Sequence, residues 1–204
     1  MLLSIHPETP QKRHIRTIVN LLKEGSVIIY PTDSVYALGC DIYNTTAVDK
    51  LAKIKGVKLK KADFSFIFEN ISMIANYTKP ISNEVFKLLK KNTPGPHTFI
   101  LEAGSEIPQI FRRNKKTLGT RIPKNNITDA IVKELGHPIL TTSLRNDDEI
   151  VEYMSDPDRI YEEYGKLVDA VIDGGYGKYS ASTIVDCTKK SIEIIREGAV
   201  ELNR

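Results

Sequence analysis

The chain has 204 residues, 41% hydrophobic, 27% charged and 7% aromatic, with a formal net charge of +3. That length supports one large domain over residues 1–204 with a substantial core. Apolar residues along the whole chain argue against disorder, and so small a charge does not establish a nucleic-acid partner. An apolar window of about 18 residues is missing, which argues against a membrane-spanning helix. His6, Glu8 and Lys12 break up any signal-peptide core, so a cytoplasmic location is expected. The two cysteines, Cys40 and Cys187, form neither a CxxC pair nor a Cys/His ligand spacing. Zinc is not expected, and two thiols in apolar strands fit a reducing compartment.

Helices and strands alternate along the chain. Thr9-Pro10 reads as an N-cap with proline at the first helical position, followed by Ile15, Ile18, Val19 and Leu22 at helical spacing up to Gly25. Residues 26–30 (SVIIY) read as a buried strand ending at Pro31. Thr46 and Asp49 resemble a capping box that opens a helix carrying Val48, Leu51 and Ile54. A strand at 64–68 (FSFIF), helices near 71–77 and 83–91, and strands at 97–101 and 117–122 follow. Next come a helix at 127–135, a strand at 138–142, a helix at 156–164 and a strand at 168–172. Residues 182–187 and 191–196 read as a closing antiparallel hairpin. The fold class expected is α/β (α+β), a twisted, mostly parallel mixed β-sheet with packed helices.

Several segments present chemistry at element ends. Residues 30–39 (YPTDSVYALG) place Thr32, Asp33 and Ser34 on a turn at a strand end, where open α/β sheets bind ligands. The same hydroxyls could instead satisfy local backbone. Lys55 and Lys58 flank Gly56 at a helix end, suited equally to phosphate and to the helix dipole. The turn at 92–99 (NTPGPHTF) delivers His97 and Thr98, and a lone histidine is more often structural than catalytic. Arg121 stands among apolar strand residues and must pair with a carboxylate, reach solvent or hold an anion. Thr141, Thr142 and Ser143 end a strand before Arg145 and Asn146, a pattern suited to phosphate oxygens. Ser182 and Thr183 open the hairpin, and Arg196 lies near its far end, so the two groups can share an edge.

Basic residues cluster at 53–61 and 112–124, and acidic ones at 147–163. Two basic blocks meeting in space would attract phosphate. Neither GxGxxG nor GxxxxGK[ST] occurs. Aromatic platforms for single-stranded nucleic acid are not evident, since Phe64, Phe66 and Phe68 lie in an expected core strand.

In order, IIYPTDSVYALGCD, KG with downstream lysines, TPGPHTFIL, GTRIP, ILTTS, VIDGGYG, STIVD and IIREGA resemble the YrdC/YciO family of threonylcarbamoyl-adenylate synthases. The resemblance covers residues 17–198 and is nearer the YciO-like branch. It implies a YrdC-like fold with a concave basic face. It also implies a nucleotidyltransferase that joins ATP, L-threonine and bicarbonate into threonylcarbamoyl-AMP for tRNA modification, with magnesium accompanying ATP. By the same resemblance, Thr32 matches a threonine-contacting position and Lys55 the lysine facing the phosphates. Arg121 and Thr141 match threonine- or nucleotide-facing positions. Ser143, Ser182 and Arg196 match nucleotide-side positions, with Lys58 beside them, and Lys55 and Arg121 would stabilise charge during reaction. Two positions depart from the family pattern: Val57 stands where the KxR motif has arginine, and Arg145 where the SxN motif has asparagine. The alternatives are a protein of the YciO type that binds tRNA or double-stranded RNA without full synthase activity, and a divergent protein acting on another nucleotide-linked substrate.

Overall fold

The computed structural model describes residues 1–59, 62, 64–112, 116–144 and 152–203. Lys60, Lys61, Arg113, Lys115, Arg145, Asn146, Asp147, Asp148 and Glu149 lie outside the described residues, so the meeting of the two basic blocks and the role of Arg145 stay with the sequence.

Ten strands form one sheet in the order β1-β8-β2-β3-β7-β4-β6-β5-β9-β10. They are β1 (Leu2–Ser4), β2 (Ile28–Tyr30), β3 (Ala37–Asp41), β4 (Ser65–Ile67), β5 (His97–Glu102), β6 (Thr117–Arg121), β7 (Ile139–Ser143), β8 (Ala170–Asp173), β9 (Thr183–Asp186) and β10 (Glu193–Arg196). The helices are α1 (Lys12–Lys23), α2 (Thr45–Ile54), α3 (Ile71–Tyr77), α4 (Asn83–Asn92), α5 (Gln109–Arg112), α6 (Asn126–Leu135) and α7 (Pro157–Tyr164). The interleaved order and mixed sheet are as expected. The expectation of a mostly parallel sheet needs correction. Among the described residues five strand pairings are antiparallel and four parallel, because β3 and β7 run antiparallel to their neighbours in the centre.

Two start signals were misplaced. α1 is preceded by Gln11, whose side chain makes no cap hydrogen bond, while the Thr9 hydroxyl bonds His6 Nδ1 at 3.1 Å. α2 begins at Thr45 because the Asn44 side chain accepts from the Ala47 amide at 3.0 Å. Asparagine one residue before the helix offers the orphan amide a better-placed oxygen than Thr46.

Period-two alternation sorts the strands onto two faces. Val27, Ile29, Leu38, Cys40, Phe66, Leu140 and Val171 join α2, α3, α4 and α7 in one apolar cluster. Their neighbours Ile28, Tyr30, Ala37, Ile67, Ile139, Ala170 and Ile172 pack with α1 and α6 in a second. The first cluster extends across the sheet to Phe99, Leu118 and Val185. Among the described residues the second has no member from β5, β6 or β9. One face of the sheet therefore has a half packed beneath α1 and α6 and a half that, among the described residues, lies outside that cluster.

At the boundary between these halves the Tyr30 ring crosses β3. A Cβ on Gly39 would stand 2.6 Å from Tyr30 Cε1 and 3.0 Å from Ile139 Cγ2. Replacing Gly39 by alanine overpacks a fully buried layer, so it is expected to remove about 1–3 kcal/mol of stability. Urea unfolding measures this, and an unchanged midpoint would contradict the crossing.

Burial also sets an alkaline limit. Desolvation pushes the Cys40 thiol and the Tyr30 and Tyr36 phenols far above their ordinary values, and the Cys187 thiol up to about 12. Cys40 lies in β3 fully buried; Cys187 is only partly buried, one residue past β9. On unfolding these groups return to ordinary values of 9.0 for thiols and 10.0 for phenols. The folded chain then holds protons that the unfolded chain gives up. Stability contributed this way is complete below about pH 9 and declines as pH rises through the interval above it. Urea midpoints measured across that interval should fall steadily; midpoints constant to the alkaline end would refute the burial of these groups.

Candidate functional site

On the other half of the second face strand register gathers small and hydroxyl-bearing residues, with Ile100 of β5 opposite Gly119 and Ile184 of β9 opposite Thr98. Thr141 of β7 stands opposite Ser65 of β4, and Ser65 opposite Gly119 of β6. A Cβ at Gly119 would meet Ser65 Oγ at 2.7 Å and Thr98 Cγ2 at 3.2 Å, so the side chains of Ser65 and Thr98 lean over the glycine. Phe99 pairs with Thr120, which sets Thr98 beside Arg121 one step along. Thr98 Oγ1 and Ser182 Oγ lie 2.9 Å apart across β5 and β9. From β7 to β9 the row spans about 19 Å over four strand spacings.

The turn at residues 31–36 meets the row at its middle strand, β6. Arg121 Nη2 donates to Asp33 Oδ1 at 2.9 Å and to Ser34 Oγ at 3.0 Å. The other Asp33 oxygen accepts the Lys124 amide at 2.8 Å. Thr32 Oγ1 donates to the Val35 carbonyl at 2.7 Å, accepts the Ser34 amide at 3.0 Å and lies 3.0 Å from Ser34 Oγ. With its one proton on Val35, Thr32 must accept from the Ser34 hydroxyl. A directed chain results, from guanidinium to Ser34, to Thr32, to the Val35 carbonyl. The Thr32 hydroxyl thus builds the turn, and Arg121 takes the carboxylate partner among the three options open to it in sequence. Arg121 is buried, and its Nε has no hydrogen-bond partner among the described residues.

The remaining candidates occupy known places on this frame. Tyr30 Oη donates to Thr141 Oγ1 at 2.7 Å, and Thr141 donates to the Leu38 carbonyl at 3.2 Å; its hydroxyl proton is taken up, leaving acceptor capacity only. Lys55 follows α2, and its Nζ donates to the Ser143 carbonyl at 2.7 Å and contacts Ser143 Oγ at 3.3 Å. Arg196 Nη2 and Nε donate to the Ser182 carbonyl at 3.1 and 3.3 Å, the shared hairpin edge that the sequence implied. Lys58 is exposed, and no described contact ties it to the others. His97 is buried and its Nε2 lies 3.3 Å from the Glu201 carbonyl oxygen, so it anchors the C-terminal segment. Hydrogen bonds link Arg121 to Thr32 through Ser34 and Ser182 to Thr98 and Arg196, Thr141 and Ser143 share β7, and Lys55 reaches the Ser143 carbonyl from the end of α2, a helix packed on the other face.

Sequence reasoning did not single out Tyr30, Ser65 or Tyr36. Tyr36 donates to the Gly175 carbonyl at 2.7 Å and accepts the Gly174 amide at 3.1 Å, tying the glycine loop after β8 to the same turn. A tyrosine at the end of an apolar strand carries no local mark of a partner more than a hundred residues away.

Hydroxyls, a buried guanidinium and two further cationic side chains suit carboxylate and phosphate oxygens. Among the described residues no three His, Cys, Asp or Glu are grouped to ligate a metal ion, and the carboxylate of the turn, Asp33, is taken up by Arg121 and Lys124. Among the described residues no helix is long and apolar enough to cross a membrane.

The family model Sua5_yciO_yrdC, described as "Telomere recombination", matches residues 20–198. An uncharacterised protein of Haemophilus influenzae is 40% identical over 197 residues, covering 96% of this chain and 94% of its own. The uncharacterised protein YciO of Escherichia coli is 38% identical over 196 residues, covering 95% and 93%. Threonylcarbamoyl-AMP synthase of Nitrosococcus oceani is 29% identical over 129 residues, covering 63% and 69%. The crystal structure of E. coli YciO matches with a TM-score of 0.90 at 36% identity, covering 98% of this chain and 97% of that one. P. abyssi Sua5 complexed with L-threonine matches with a TM-score of 0.87 at 22% identity, covering 97% and 57%, which speaks to fold. The residues matched and the depth of these likenesses show that the chain belongs to the Sua5/YciO/YrdC family.

Proposed function

We propose that the chain binds ATP and L-threonine across this row and joins them with bicarbonate to give threonylcarbamoyl-AMP and pyrophosphate, as a nucleotidyltransferase serving tRNA threonylcarbamoylation. The observation that carries the reading is Arg121, a buried guanidinium whose Nε lacks a partner among the described residues, set between the turn at residues 31–36 and the hydroxyl of Thr98 beside it on β5. Buried donors are normally satisfied, and an amino-acid carboxylate would satisfy this one. The synthase named among the relatives and the threonine complex of a protein sharing the fold support the same choice.

In the proposed reaction the threonine amine forms a carbamate, with carbon dioxide releasing a proton or with bicarbonate releasing water. A carbamate oxygen attacks the α-phosphorus, and the bond from that phosphorus to the bridging oxygen breaks, so the electron pair leaves with pyrophosphate. Positioning and charge stabilisation suffice, and no protein nucleophile is required. Arg121 orients the amino acid against the turn that Thr32 and Ser34 build. Lys55, Lys58 and Arg196 draw the phosphates, and Ser143 and Ser182 offer hydroxyls to phosphate or ribose oxygens. Thr141 can only accept, which suits a ribose hydroxyl. Magnesium arrives on the nucleotide as part of the substrate.

Folded protein given ATP, L-threonine and bicarbonate is expected to release pyrophosphate together with the adenylate. Arg121→Lys keeps the charge but loses the fork and should lower the rate at least about tenfold, the equivalent of 1.4 kcal/mol. Neither product from a folded sample would contradict the proposal. Val57 motivates a second reading, a nucleotide-linked substrate other than threonine, because valine supplies no bidentate grip on an anion. A melting temperature raised by AMP but not by threonine would favour it; a rise with threonine would dismiss it.

A further inference from the structure

β10 ends at Arg196, and the chain then turns back across the start of β9. Gly198 makes the crossing at close range. A Cβ on it would stand 2.3 Å from the Ala181 carbonyl oxygen and 2.5 Å from the Thr183 nitrogen. The Ala199 amide donates to the Ala181 carbonyl at 2.9 Å. Thr183 is 1% exposed, and its hydroxyl holds both sides of the crossing. Oγ1 accepts the Gly198 amide at 3.0 Å and donates to the Val200 carbonyl at 2.6 Å. Further along, His97 Nε2 donates to the Glu201 carbonyl at 3.3 Å. Asn92 then exchanges two bonds with Asn203: its side chain donates to the Asn203 carbonyl at 2.8 Å and accepts the Asn203 amide at 2.9 Å. Residues 198–203 are thus bonded to β9, β5 and α4 in turn.

The peptide that Gly198 covers belongs to Ser182. The Ser182 hydroxyl lies on the second face, 2.9 Å from Thr98 Oγ1, and its carbonyl accepts from the Arg196 guanidinium. The crossing therefore bears on two groups assigned above to the nucleotide. We propose that Thr183 is a positioning residue for the nucleotide: its hydroxyl clasps residues 198–200 over the Ser182 peptide, and so fixes the Ser182 hydroxyl and the Arg196 guanidinium where phosphate oxygens meet them. Thr183 acts through these groups. Its side chain alternates to the first face with Val185, and its proton and one lone pair are taken up by the clasp. A shift of about 1 Å in a positioned group can cost up to about a hundredfold in rate, so a device that pins one peptide has leverage on binding. The inference rests on the nucleotide-binding part of the function proposed above.

The test is isothermal titration calorimetry of the full chain with ATP and, separately, with L-threonine. Thr183→Val keeps the shape and loses both bonds; it should weaken ATP binding about tenfold and leave threonine binding unchanged. Thr183→Ser keeps the hydroxyl and should restore ATP affinity. Ala199→Pro removes one amide bond of the clasp from an exposed residue, so the chain should still fold, and it too should weaken ATP binding alone. If Thr183→Val fails to fold, the same two affinities of Ala199→Pro decide. A role confined to stability would lower the melting temperature and leave the ATP affinity of the folded protein unchanged. Clasp variants that bind ATP as the unaltered chain does, or that lose ATP and threonine equally, would overturn the proposal. Pyrophosphate release by the unaltered chain reads the synthase reaction separately. ATP bound without pyrophosphate contradicts that reaction while the Thr183 comparison still decides the clasp; no ATP binding by the unaltered chain overturns both.

Discussion

The buried pair of Arg121 and Asp33 is the constraint on which the site depends. A guanidinium in a sheet is tolerable only with a well-placed partner, and removing one side of a buried pair costs about 3–5 kcal/mol. Both side chains are less than a tenth exposed, at 9% and 5%. The pair therefore determines where the turn at residues 31–36 can lie. Asp33 also holds the Lys124 amide, and the Arg121 carbonyl accepts the Phe68 amide at 2.8 Å. One ion pair thus fixes the β2–β3 connection against the exits of β6 and β4. The hydroxyl chain through Ser34 and Thr32 follows from it.

A second long-range bond, from Tyr30 to Thr141, ties the apolar half of the face to the polar half. It requires Gly39 beneath the ring and leaves Thr141 with acceptor capacity alone. The polar row is preorganised: strand register places its members and hydrogen bonds among them orient their hydroxyls. That arrangement suits chemistry that works by holding charged reactants in place. The glycine loop after β8 hangs from Tyr36 and so shares a support with the turn that Arg121 holds.

Elements with a clear period were legible in the sequence. α3 matches its expected limits, α4 extends by one residue, and the closing hairpin pairs as read. β3 was missed because ALGCD is buried at every position and so shows no alternation; its glycine and its polar neighbours read as a turn. β1 is three residues long, too short to show a period. The candidate site was legible as a set of residue types at element ends, and family resemblance supplied the roles proposed for them. Partnerships were not legible. Arg121 and Asp33 stand 88 positions apart and Tyr30 and Thr141 stand 111 apart, and residue type alone left pairing, exposure and ligand binding equally open for Arg121. The hydroxyl of Thr32 shows the same limit: local bonding and ligand contact use the same atom, and only geometry tells them apart.

A double-mutant cycle on Asp33→Ala and Arg121→Ala, read by urea unfolding, tests this account most directly. If the pair holds the site together, each single variant is strongly destabilised, the double variant loses clearly less than the sum of the two, and the coupling reaches about 2–3 kcal/mol. Losses that simply add would show that the two side chains act independently, and the structural basis for the site would fail.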